Sequence, residues 1–158
     1  MRTALLTSLA MLVAVSVGFA GSASALGRPV AGTLSIEGAH GTVTVRGAGT
    51  VVGRLDKGEL QLTDLSPNDT WTPKVNGVTK PRFVLIRGKD INFFVPGGRY
   101  RISVKGDGVS LSARGIGVAT VKANRPGDGT IAVGDAAPTD IPTDTARVIF
   151  GGGDASTG

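Results

Sequence analysis

The stretch Gly98-Arg99-Tyr100-Arg101-Ile102-Ser103-Val104-Lys105-Gly106-Asp107-Gly108-Val109-Ser110-Leu111-Ser112-Ala113-Arg114-Gly115 decides the fold class. Apolar and polar residues alternate through it with a period of two, the repeat of a strand that buries one face. Tyr100, Ile102 and Val104 fall on one side, and Arg99, Arg101, Ser103 and Lys105 on the other. After Gly106-Asp107-Gly108 the alternation resumes, with Leu111 and Ala113 inward and Ser110, Ser112 and Arg114 outward. Read as two paired strands, this stretch presents a face of Arg, Lys and Ser opposite an apolar one.

The same pattern extends outward. Leu34-Ser35-Ile36, Val43-Thr44-Val45, Leu60-Gln61-Leu62 and Ala119-Thr120-Val121 alternate likewise, and no segment past residue 25 carries helical i, i+3, i+4 spacing. Gly47-Ala48-Gly49 and Gly115-Ile116-Gly117 punctuate the runs like Gly106-Asp107-Gly108, supplying the φ > 0 that tight hairpins require. Val43 to Gly49 matches Ile102 to Gly108 at an offset of 59, which also aligns Gly58 with Gly117. An apolar-x-apolar-x-Gly unit starts at 84, 93, 102 and 111, and again at 34 and 43, a nine-residue step. The expected fold is all-β, a two-layer β-sandwich or short barrel of about nine or ten short strands with an internal repeat. The alternative is a β-roll or solenoid. Two β-rich halves, about 30–64 and 82–122, are joined by a link over 64–81 that holds three prolines and Trp71. A single domain is expected over 26–150, with a disordered tail over 151–158.

The first 25 residues read as a secretory leader: Arg2, an apolar run from Ala4 to Phe19, then Ala23-Ser24-Ala25. The run is shorter than the ~20 residues a spanning helix needs, so cleavage after Ala25 and export are expected, with no membrane span afterwards. Of the 158 residues none is Cys and one is His, which excludes disulfides, thiolate chemistry, Cys-ligated zinc and multi-His metal sites within one chain. No metal or cofactor is expected. The stretch from Gly98 to Gly106, with Leu111 to Gly115, resembles small secreted, Gly-rich all-β proteins of actinobacteria. That resemblance covers about 30 to 134; it implies an exported all-β domain and carries over no catalytic residue.

Charge is uneven. Residues 74–125 hold eleven basic and two acidic groups, whereas 126–158 hold one basic and five acidic. Arg99, Arg101, Lys105 and Arg114 are therefore the candidate ligand-binding residues, on a sheet face suited to phosphate or sulfate groups. An anionic wall polymer, a lipid or a protein would be the partner. Nucleic acid is disfavoured, because no aromatics interleave with the outward cations. Trp71 is a candidate interface residue as well as a candidate anchor for the link. His40 reads as a bystander in a Gly-rich turn. Glu37, Asp56, Glu59 and Asp64 are the only candidates in the first half for a hydrolase pair, with Asp56 and Glu59 at a hairpin tip. Asp64, with Asn68 and Asp69, suits Asx-turns around Pro67 better than a calcium ion. The function expected is non-catalytic: an exported binding or structural domain of the cell envelope. The alternatives are an assembly module pairing by its strand edges and, less favoured, a small hydrolase.

Overall fold

The computed structural model describes residues 30–66 and 72–152, and the regular structure among them is all strand. The leader, Asn68, Asp69, Trp71 and the tail from 153 lie outside the described residues. The strands are β1 (Gly32–Asp64), β2 (Lys74–Val75), β3 (Val78–Thr79), β4 (Phe83–Val95), β5 (Arg99–Ala123), β6 (Thr130–Val133), β7 (Thr139–Asp140) and β8 (Ala146–Phe150). Three of them carry most of the fold, and they are long because they bend.

Val43 pairs with Val104 on one side and with Val121, seventeen residues further along, on the other. Val104 likewise lies between Val43 and Leu60. β1 and β5 thus run antiparallel as a two-stranded ribbon that coils upon itself, and each coil crosses the molecule twice. The crossings form two sheets. The first orders its arms as 32–39, 109–115, 49–55 and 91–95, flanked by β6 at one edge and the β2–β3 hairpin at the other. The second orders its arms as 41–48, 99–106, 57–64 and 83–89, with 116–123 and then β8 added beside 41–48. Taking the eight arms in chain order, the sheets read 1-8-3-6 and 2-7-4-5, which is jelly-roll connectivity. Inward side chains of both sheets make one core, including Leu34, Ile36, Leu111 and Phe93 from the first and Val45, Leu62, Ile102 and Phe150 from the second.

The expected sandwich is the architecture found; the sheet does not close into a barrel. Several details differ. Every strand pair is antiparallel, which a stacked solenoid would not give. The nine-residue step is one crossing of the sandwich, so successive glycines fall at alternate ends. Gly88, Gly58, Gly106 and Gly41 line up across four strands at one end, and Gly32, Gly115 and Gly49 across three at the other. Gly41, Gly49, Gly58, Gly88, Gly106 and Gly115 lie at corners where β1, β4 and β5 fold from one sheet to the next, not at hairpin tips. The two β-rich halves are β1 on one hand and β4 with β5 on the other, and they pair with each other. Part of the 64–81 link is built in: Val75 is buried and the β2–β3 hairpin pairs with β4. Val30 and Gly152 form an isolated antiparallel bridge that ties the two ends of the described chain together.

Candidate functional site

Register decides which outward residues meet. Across the outer face of the second sheet one row reads Arg147, Thr120, Thr44, Ser103, Gln61 and Leu85. The Thr44 and Ser103 hydroxyls lie 3.2 Å apart, within hydrogen-bond distance. On one side of this row Arg46 pairs with Arg101, between Val118 and Thr63. On the other, Lys122, Thr42, Lys105, Glu59 and Arg87 form a row in which Arg87 Nε donates to Glu59. Among the described residues these rows and Arg99 beside them carry Arg46, Arg87, Arg99, Arg101, Lys105, Lys122 and Arg147 against one carboxylate, Glu59.

At the centre of this face is an open depression of about 550 Å³ walled by Arg46, Arg101 and Arg147, with Thr44, Ser103 and Thr120 as hydroxyl floor and, among the described residues, no carboxylate in the lining. Among the described residues none of these arginines is in an ion pair. Arg46 and Arg101 are directly opposite on neighbouring strands, an arrangement of like charges that destabilises a sheet. Guanidinium forks and hydroxyls are the groups that can hold an oxyanion by charge-assisted hydrogen bonds.

Arg99, Arg101 and Lys105 lie on this face. Arg114 does not: its arm, 109–115, belongs to the first sheet and pairs with 32–39 and 49–55. The hairpin expected to bring Arg114 beside the other three is absent, because β5 bends at Gly106–Gly108 and crosses to the opposite sheet. Sequence reasoning missed Arg46, Lys122 and Arg147. The Val43-Thr44-Val45-Arg46 alternation already turns Arg46 outward, and the offset of 59 aligns it with Lys105; that its strand lies beside Arg101 was the missing fact.

Other candidates stand apart. His40 sits at the corner holding Gly41 and Gly106, exposed, with Nδ1 3.3 Å from Asp107 Oδ1. The hollow beside them is completed by Asn124, Arg125 and Asp128, and among the described residues no hydroxyl or amine lines it. The four carboxylates do not converge: Glu37 is on the outer face of the first sheet, Glu59 on that of the second, and Asp56 at an exposed corner. Asp56 and Glu59 flank a bend in β1, which corrects the expected hairpin tip. Asp64 points inward, its Oδ1 accepting from the Ser66 N–H at 2.7 Å in an Asx-turn and its Oδ2 lying 3.6 Å from Arg82 Nε. Among the described residues no His, Asp and Glu group has metal-binding geometry. Comparison with known proteins adds no relative: no protein-family model, no curated protein and no solved structure matches the chain.

Proposed function

We propose that this chain is a non-catalytic, exported binding domain of the cell envelope that takes an anionic polymer on the outer face of its second sheet. One observation carries the reading: Arg46, Arg101 and Arg147 surround a hydroxyl-floored depression that no carboxylate of the described residues lines. A flat sheet face suits an extended chain with repeated charges, and the remaining cations widen its footprint. The export half of the reading rests on the leader sequence.

The test is retention on immobilised polyphosphate and on heparin across a salt gradient, beside an Arg46→Ser/Arg101→Ser/Arg147→Ser variant. Retention should weaken with rising salt, because exposed charge contacts are screened, and should be lost in the variant. Equal retention of both proteins, or none of the parent at low salt, overturns the reading.

A second reading, assembly by strand edges, is favoured by Phe83 and Leu85 on the arm at one edge of the second sheet and Ile149 on β8 at the other, all exposed. Edge pairing is backbone hydrogen bonding with apolar contact, so a self-association that persists in high salt would support it.

A further inference from the structure

The first sheet has an outer face of different chemistry. Its central row is Ser35, Ser112, Val52, Phe94 and Lys74, one residue from each of five neighbouring strands. Val52 and Phe94 are register partners, 53% and 38% exposed, and so form one apolar patch in the middle of a polar face. The adjoining row sets Arg54 between Ser110 and Asn92. Together they floor an open depression of about 520 Å³ with Glu37 at one end and Lys74 at the other. This lies within the size range of small-molecule and ligand sites.

We propose that this depression is a binding site for a neutral hexose polysaccharide. A pyranose ring has an apolar C–H face and a rim of hydroxyls that donate and accept. The site matches both. Phe94 and Val52 supply a platform for the C–H face. Around them, guanidinium, amide, carboxylate and hydroxyl groups supply donors and acceptors. Both signs of charge line it, so it lacks the one-sided field that draws a polyanion to the second sheet. From Ser35 to Phe94 the row spans three strand spacings, about 14 Å. That length, in an open depression, fits an internal stretch of a chain.

The rim is preorganised. The β2–β3 hairpin is held by two bonds to the backbone of Asn92: Asn76 N–H donates to the Asn92 carbonyl, and Asn92 N–H donates to Asn76 Oδ1, each at 2.8 Å. Neither bond uses the Asn92 side-chain amide, which is left to a ligand. Asn76 adopts φ 49, a left-handed conformation that asparagine tolerates and a turn demands.

The experiment is calorimetric titration with cellohexaose, maltohexaose and mannohexaose at ~1 M salt, where the Debye length is about 3 Å and polyanion binding is screened. At least one hexasaccharide should bind the parent. Phe94→Ala and Asn92→Ala should each weaken it at least tenfold, Phe94→Tyr should retain it, and the triple arginine variant should bind as the parent does. Absence of binding by all three sugars, or unchanged affinity in both alanine variants, overturns the proposal. Because the arginine variant tests the other face, failure of one site leaves the other standing.

Discussion

Tyr100 carries its phenol into the core with no exposed surface, and its hydroxyl finds no hydrogen-bond partner among the described residues. Burial disfavours the phenolate and pushes the group up to about 12 from its ordinary 10. The folded protein therefore keeps a proton, between those two values, that the unfolded chain has lost. Stability from this source is complete below pH 10 and falls as pH rises toward 12, by on the order of 2 kcal/mol. Tyr100→Phe removes the titrating group. Urea unfolding of parent and variant from pH 7 to pH 11.5 should show a flatter alkaline limb in the variant. At pH 7 the variant should be as stable or slightly more so, since an unpartnered buried hydroxyl has a desolvation cost and no compensating bond. Identical alkaline limbs would mean that the phenol is not held neutral by the fold.

The bent arm is the element from which the molecule is made, and its corners set strict demands. At one corner Gly49 and Gly115 are register partners, and a methyl on Gly115 would overlap the Ala48 carbonyl. Gly115 also has φ +151, in the region L side chains rarely adopt. Gly115→Ala should cost about 2–3 kcal/mol in urea unfolding, from overlap and backbone strain together. Gly97, in the turn between β4 and β5, has nothing within 4 Å of an added Cβ. Gly97→Ala should change stability by less than about 0.5 kcal/mol. Equal losses at both positions would contradict the corner account. These corners also explain what the chain could and could not disclose. The inward set Tyr100, Ile102, Val104, Leu111 and Ala113 was legible, because alternation depends only on neighbours in sequence. The sandwich followed from it, and so did the outward direction of Arg99, Arg101 and Lys105. Whether Gly106-Asp107-Gly108 reverses the strand or only bends it depends on what lies across from it. Gly106 is flanked by Gly41 and Gly58, about fifty or more residues away in the chain, and no local pattern reports that. The error displaced Arg114 to the wrong face and hid Arg46 and Arg147 from the right one. The Phe94–Val52 patch was hidden for the same reason, since it is a pair made by register.

At the scale of the whole molecule, coiling one ribbon into two sheets makes each sheet depend on the other. β1 passes from the first sheet to the second at Gly38–Gly41, back at Gly49, and again to the second near Gly58. β5 makes the matching passages in the opposite sense. Removing the pairing of 34–36 with 111–113 in the first sheet frees chain that is continuous with Val43–Val45 and Ile102–Val104 in the second. Val45 and Ile102 are paired although more than fifty residues separate them in sequence, so their contact has a loop entropy that only the completed coil offsets. The two sheets should accordingly unfold as one unit. Native-state hydrogen exchange should give the hydrogen-bonded amides of 34–36 and 111–113 the same opening free energy as those of 43–45 and 102–104, equal to the global value from urea. The short additions should open earlier: β2 with β3 is paired to the rest of the sheet through β4 alone, and β6 with β7 through β1 alone. Refolding should take milliseconds to seconds, as for other folds dominated by distant pairings. A gap of more than about 2 kcal/mol between the central amides of the two sheets would show that one sheet persists alone. That would break the link between the coiled topology and cooperativity, because an arm would then have come free at its glycine corner without unravelling its neighbour.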